Sequence, residues 1–354
     1  MKILRSALFG KIFWCASLPY RLAAAYKNHA YDSRVRGDHG LPVPVISVGN
    51  ITAGGAGKTP LVMDIAARLA DAGLHPVILS RGYKRRGRGI ALVSDGQGVC
   101  LGPREAGDEP YMMAKRIKGA AVMVGRDRRA AAGEALRRLD PGALILDDGF
   151  QHRRMGRDLD IVVLDSSNPW GNGQLLPAGP LREPLKNLKR ADLIVLSRAD
   201  ASDDMCRLKE QIGRYTDAPV VEAAHRPAEL YALTHDTGHS LDFLKGRLVY
   251  AFSGIGNPDS FLTTLGMIGV SPAGSSVFRD HHWYSPSDIR KLVKRAEKTG
   301  AVALVTTEKD AVRISGITDL RLPVYVLRID MALLKGEDVY EEAIRSAVFD
   351  ERGK

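Results

Sequence analysis

The amino-acid sequence predicts an α/β protein: one domain built on a mostly parallel sheet, a second, smaller α/β domain after it, and a helix ahead of both. Three observations carry that prediction. From residue 43 onward, short runs rich in Val, Ile and Leu alternate with helical stretches. Each run is nearly continuous in apolar residues, as expected of strands covered on both faces. The first of them gives way to a glycine-rich turn that opens a helix. With 354 residues, 45% hydrophobic and 26% charged, the chain has length for about two domains and enough apolar residues to bury cores in both.

The first element spans residues 1–30. Ile3, Leu4, Leu8, Phe9, Ile12, Phe13, Trp14 and Leu18 make it apolar, but Lys11 interrupts a run already too short to cross a bilayer. No small-residue cleavage site follows, so neither a transmembrane helix nor a signal peptide is expected. Lys2, Arg5, Lys11, Arg21 and Lys27 among Phe9, Phe13, Trp14, Tyr20 and Tyr26 suit a helix lying in the headgroup layer of a membrane. A helix packed on the domain core is the other open reading, because Lys11 falls near the face of Leu4, Leu8 and Cys15.

The predicted strands of the first domain are 43–48, 77–79, 121–124, 143–146, 160–164 and 193–196. Its first helix begins after Thr59, with Pro60 suited to a first turn, Leu61, Ile65 and Leu69 on one face, and Gly73 closing it. The polar stretch 200–230 marks a domain junction. Beyond it, 247–252, 301–305 and 323–327 read as strands and 258–267 and 287–298 as helices. The expected domains are therefore 31–228 and 229–335, with a last helix within 336–354 placed to pack back on the first.

The excess of 51 Lys and Arg over 41 Asp and Glu, a formal +10, favours anionic partners without choosing among phosphate, nucleic acid and membrane. Cys15, Cys100 and Cys206 lie far apart, form no C-x-x-C pair and cannot all pair, so neither a disulfide framework nor a zinc site is expected.

The turn after the first strand, Thr52-Ala53-Gly54-Gly55-Ala56-Gly57-Lys58-Thr59, has the strand–loop–helix context of a P-loop. There, backbone N–H groups and the positive end of a helix surround phosphate oxygens, Lys58 reaches the outer phosphates and the Thr59 hydroxyl can ligate Mg2+. The strict pattern has glycine where this chain has Thr52. Asp147 and Asp148, at the tip of the apolar strand 143–146, are the acids expected to position the ion in such a domain. A pair of solvated turn acids is the alternative.

The segments Ser80-Arg81-Gly82-Tyr83, Gly107-Asp108-Glu109-Pro110, Asp147-Asp148-Gly149-Phe150-Gln151-His152, 176–184 (LPAGPLREP), Asp280-His281-His282 and Thr306-Thr307-Glu308-Lys309-Asp310 occur in this order. In them the chain is similar to the tetraacyldisaccharide 4'-kinase family of lipid A biosynthesis, over nearly its whole length. That family also lacks the first P-loop glycine, which accounts for Thr52. The resemblance implies an ATP-dependent lipid kinase of the P-loop NTPase fold that phosphorylates the 4' hydroxyl of an acylated glucosamine disaccharide, with ATP and Mg2+ as cofactors. It implies Asp108 as the base, assisted by a histidine assigned by family position to His281, with His282 the alternative. Helix capping is a second use for Asp108, ahead of Pro110. Arg182 is implied as the clamp on the transferred phosphate. Glu109 and Glu183 are implied as further metal partners, Arg81 as a contact for the lipid's existing phosphate, and Gln151 as a substrate-side or supporting residue. The enzyme is expected to act as a monomer, peripheral or monotopic on the cytoplasmic face of a bacterial inner membrane and docked by its N-terminal helix, with the base and its histidine brought together from different domains.

Two rival functions have some support. A P-loop GTPase or nucleotide-dependent switch draws on Ser197-Arg198-Ala199-Asp200, which distantly resembles the guanine-reading [NT]-K-x-D element but has neither Asn nor Lys in place. A nucleic-acid-binding ATPase draws on the +10 charge and the basic run 81–88, yet lacks interleaved stacking aromatics, so no nucleic-acid partner is expected.

Overall fold

A computed structural model of the chain describes residues 17, 19–23, 25–26, 41–202, 204–234, 237–314 and 321–349. They fall into two compact units, the first formed by 1–81, 125–224 and 333–354 and the second by 82–124 and 225–332. In chain order the strands are β1 (Val45–Gly49), β2 (Val77–Ser80), β3 (Ala91–Ser94), β4 (Ala121–Val124), β5 (Leu144–Asp147), β6 (Leu159–Asp165), β7 (Leu193–Ser197), β8 (Val220–Ala232), β9 (Thr237–His239), β10 (Val249–Ser253), β11 (Gly274–Val277), β12 (Ala303–Thr307) and β13 (Val324–Lys335). The longer helices are α1 (Lys58–Asp71), α2 (Asp108–Arg116), α3 (Arg128–Leu139), α4 (Met205–Gly213), α5 (Pro258–Met267), α6 (Pro286–Lys298) and α7 (Glu337–Phe349).

In the first unit β7, β6, β1, β5 and β2 lie side by side, all parallel, and the start of β8 extends the sheet beside β7. Every residue of β1 and β5 is buried, which is why these strands read as unbroken apolar runs rather than alternating ones. The helix α1 packs on β1 and β5 through Leu61, Val62, Ile65 and Leu69. The last helix, α7, contacts β1 and β6 and meets α1 where the fully buried Tyr340 donates its hydroxyl to Asp64 at 2.7 Å. Gly49, the last residue of β1, allows the chain to pass the backbone of Phe150. A Cβ there would lie 2.5 Å from the Phe150 nitrogen, so Gly49→Ala should lower stability by about 1–3 kcal/mol, read as a fall in the urea midpoint.

In the second unit β11, β10, β12 and β13 are parallel, the end of β8 pairs with β9 antiparallel, and β3 pairs with β4 antiparallel. The helix α6 opens on a capping box, in which Ser285 and Asp288 satisfy each other's backbone N–H. It buries Ile289, Leu292, Val293 and Ala296 against a core that includes Phe252 and Leu304.

Two sequence expectations change here. Residues 82–124 group with the C-terminal unit instead of continuing the P-loop domain. The alternation of strand and helix is the same in both, and it takes long-range contacts such as the ion pairs Arg116–Glu308 at 3.1 Å and Lys309–Glu109 at 2.9 Å to reveal the allegiance. The polar stretch near 220 is a long strand, β8, in which Glu222, His225, Arg226 and Glu229 break the apolar signal. Of the expected N-terminal helix, residues 1–16 lie outside those described. The described residues 17, 19–23, 25 and 26 are helical, with Leu22 and Tyr26 exposed at 70% and 78%.

Candidate active site

The first unit carries a cradle for anions. The helix α1 starts at Lys58, and its N-cap is Gly57, which adopts φ 87°, a left-handed conformation that favours glycine; no side chain caps the helix. Its first N–H groups and the positive end of its dipole are thus left for an anion. The loop's outer edge is fixed by backbone pairing: Ala53 N–H donates to the Pro180 carbonyl at 2.7 Å, and Arg182 N–H donates to the Ile51 carbonyl at 2.7 Å. Its other edge is held by the segment after β7. Ser197 Oγ donates to the Ala56 carbonyl at 2.8 Å and Arg198 Nη2 to the Gly55 carbonyl at 3.2 Å, while the other arm of Arg198 pairs with Asp165. The stretch that distantly resembles a base-reading element therefore works as a brace for the loop.

Beside the loop, two cations converge on one carboxylate. Lys58 Nζ lies 3.2 Å from Asp148 Oδ1, and Arg182 Nη1 reaches both Asp148 oxygens at 2.9 and 2.8 Å. Burial alone would raise the Asp148 carboxyl, but Lys58 and Arg182 outweigh it and hold it down at about 2. Asp148 sits at φ 55°, a strained backbone for a residue with a side chain and of the kind found at functional sites. Its neighbour Asp147 is buried at the end of β5 and accepts from Ser80 Oγ at 2.7 Å. Gln151 ties the group together, donating to the Asn50 carbonyl at 2.8 Å and accepting from Arg182 at 3.3 Å.

Sequence reasoning missed two members of this group. Asn50, one residue past β1, accepts from Lys58 Nζ at 3.0 Å. Arg128 is buried, donates to the Gly125 carbonyl at 2.8 Å and reaches the Asp147 carbonyl at 3.4 Å. The available signal was Asp127, which caps α3 and places an arginine at the helix start.

Two expected members lie elsewhere. Glu183 is buried with both oxygens occupied, accepting from Arg190 at 2.8 and 3.1 Å and from Asn187 at 2.6 Å, so it anchors the loop 183–190 and does not join Asp147 and Asp148. Glu109 belongs to the second unit, paired with Lys309. Arg81 is exposed just beyond β2.

The second unit carries an acid–imidazole pair. Asp108 is the first residue of α2, not its cap, which is Gly107. Its Oδ2 lies 2.7 Å from His281 Nδ1. His282 is engaged elsewhere, 3.2 Å from Asp288 and stacked on Phe278. Both members of the pair belong to this one unit, which corrects the expectation that they come from different domains: residues 82–124 bring Asp108 with them. Burial pushes the Asp108 carboxyl up, but the His281 hydrogen bond, the Lys309 and His281 charges and Arg313 more than offset it, so it stays below the usual carboxylate range. His281 takes φ 62°, and Tyr83 meets its ring edge-on at 5.3 Å.

The profile of the tetraacyldisaccharide-1-P 4'-kinases matches residues 9–348. The chain belongs to that family. A tetraacyldisaccharide 4'-kinase from Anaeromyxobacter sp. (strain K) is 42% identical over 346 residues, covering 97% of this chain and 92% of the relative. One from Chlorobium limicola is 40% identical over 346 residues, covering 94% and 97%. A crystal structure of LpxK from Aquifex aeolicus in complex with ATP aligns with a TM-score of 0.76 at 32% identity, covering 96% of this chain and all of that one. These matches give no support to the switch reading. Among the described residues, no helix of this family member is long and apolar enough to cross a membrane.

Proposed function

We propose that this chain transfers the γ-phosphate of ATP to the 4' hydroxyl of a tetraacylated glucosamine disaccharide 1-phosphate, giving the 4'-phosphorylated lipid A precursor. The observation that carries the chemistry is the Asp108–His281 contact at 2.7 Å, an acid–imidazole pair suited to taking a proton from an alcohol. It occurs in a kinase-family chain whose P-loop is built to hold a phosphoryl donor.

The balance of the step is simple. The acceptor oxygen bonds to the γ-phosphorus, the bond to the β-phosphate oxygen breaks, ADP leaves, and the hydroxyl proton passes to the Asp108–His281 pair. A free aspartate, with pKa of about 3.9, is a poor base, and Asp108 is held lower still, so the imidazole is needed to share the proton. Lys58 and Arg182 meet the charge of the transferring group, two cations already aimed at one anionic position. The loop N–H groups and the start of α1 hold the remaining phosphate oxygens.

Mg2+ fits this donor set. Asp147, Asp148 and the Thr59 hydroxyl are the residues that would hold it. Among the described residues no group of three or more His, Cys, Asp or Glu could hold a metal ion, so phosphate and water would have to supply most of its ligands. When bound, it neutralises charge on the triphosphate. For the acceptor side, Arg81 is assigned to the lipid's existing phosphate. The N-terminal helix is assigned to the membrane surface, in keeping with Leu22 and Tyr26, exposed one turn apart.

The test is direct. The protein incubated with γ-labelled ATP, Mg2+ and the disaccharide lipid in detergent micelles should place label in the lipid. Hydrolysis of ATP with no labelled lipid would overturn the reading in favour of a nucleotide switch.

A further inference from the structure

Behind the Asp108–His281 pair lies a guanidinium that no motif singled out. Arg313 is 1% exposed, a depth at which arginine is found only when its donors are matched. Each arm has a partner. Nη1 donates to the Gly254 carbonyl at 3.0 Å, Nη2 to Asp310 Oδ1 at 2.9 Å, and Nε to the Lys309 carbonyl at 3.1 Å, with Nε also 3.6 Å from Asp108 Oδ2. Asp310, fully buried, is itself pinned by the Tyr284 hydroxyl at 2.8 Å, the Gly254 N–H at 2.9 Å and the Thr307 hydroxyl at 2.6 Å.

The fork reaches both halves of the pair by different routes. Toward Asp108 it acts as a charge beside the same oxygen that meets the imidazole. Toward His281 it acts through Gly254, because the carbonyl that Arg313 holds also accepts the His281 backbone N–H at 3.1 Å. That hydrogen bond supports a residue in the left-handed region, where a histidine does not stay without help. Burying an arginine with two carboxylates costs desolvation that an apolar cluster would avoid, so a network of this kind is better explained by the geometry it fixes than by stability. Lys309, one turn earlier, pairs with Glu109 at 2.9 Å and lies 3.8 Å from Asp280.

We propose that Arg313 is the positioning residue of the Asp108–His281 pair, fixing the carboxylate directly and the imidazole through the Gly254 carbonyl. The proposal rests on the reading of Asp108 and His281 as the proton acceptor.

A double-mutant cycle on the full chain in the lipid kinase assay tests it. Arg313→Met should lower kcat on the order of 10²-fold, the scale of a misplaced catalytic group, with the KM for ATP unchanged. In an Asp108→Asn background the same substitution should cost little more, because the group it positions is already gone. Arg313→Lys, which keeps charge but not the fork, should recover only part of the rate. Equal fold losses in both backgrounds would overturn the proposal, since a residue acting only on folding lowers the rate whether or not Asp108 is present. If Arg313→Met does not fold, Tyr284→Phe removes one hydrogen bond from Asp310 and keeps the ring. Its smaller loss in kcat should likewise vanish in the Asp108→Asn background, and an unchanged kcat would overturn the proposal. Wild-type activity in Asp108→Asn itself would instead remove the base and the proposal together.

Discussion

Replacing Asp108 with asparagine should lower kcat by roughly 10³-fold, within the range that positioned acid–base catalysis supplies, and leave the affinity for ATP intact. The substitution is close to isosteric. It keeps an oxygen facing His281 and removes only the negative charge, so the 2.7 Å contact has a replacement and the start of α2 keeps its shape. ATP affinity should be spared because the proposed phosphate loop, 52–59, belongs to the other compact unit. The measurement is kcat at saturating lipid, beside ATP binding by calorimetry. His281→Ala should be less damaging, because the carboxylate remains, and the double variant should be little worse than Asp108→Asn alone, as expected of groups that act as one unit. A wild-type kcat in Asp108→Asn would take Asp108 out of the reaction, whereas equal losses in rate and ATP binding would point to a misfolded unit.

Much of the sheet was legible because its signals are local. Each strand buried on both faces is an uninterrupted apolar run, so β1, β2, β4, β5, β6 and β7 announce themselves within a residue or two. Strands with an exposed or polar side do not. In β3 only Val93 and Ser94 are buried, β11 is Gly-Ser-Ser-Val, and β8 carries Pro227 and four charged or imidazole side chains. The membership of 82–124 was invisible for a different reason: it is set by pairs such as Lys309–Glu109, separated by 200 positions, which no periodicity encodes.

The site divides along the same line. Lys58 and Asp148 stand in motifs expected to serve one phosphate and metal site, and the structure has them 3.2 Å apart. His281 beside Asp108 came from family position, since nothing in the two residues' own surroundings links them. Glu183 was misplaced because an acid next to Arg182 invites a metal role, while its partner Arg190 lies seven positions on, across a loop whose course the sequence does not state. Asn50 and Arg313 went unread because they act through backbone carbonyls and neighbours' side chains. A lone Asn after a strand or a lone Arg after a helical turn has many ordinary explanations.

The second large effect falls on the phosphate cradle. Lys58→Met should reduce kcat by about 10²–10³-fold, the loss that follows removal of one preorganised donor to developing charge, and should also raise the KM for ATP. The two effects arise together because one ammonium serves both states. In the proposed reaction it would hold the outer phosphates in the ground state and meet the added charge as the β–γ bond breaks. Methionine preserves the apolar stem along α1 and leaves Arg182 as the remaining partner of Asp148, so the fold should survive. The Asp148 carboxyl, held at about 2 by Lys58 and Arg182 together, should rise toward the ordinary carboxylate range when one of the two cations is gone. The KM for the lipid should not change, since the proposed lipid contact is Arg81 and not Lys58. Steady-state rates with each substrate varied in turn separate these outcomes. An unchanged kcat/KM for ATP would mean that the glycine-rich turn is not the donor site, whereas a raised KM with wild-type kcat would confine Lys58 to ground-state binding and leave Arg182 as the group that meets the transferring phosphate.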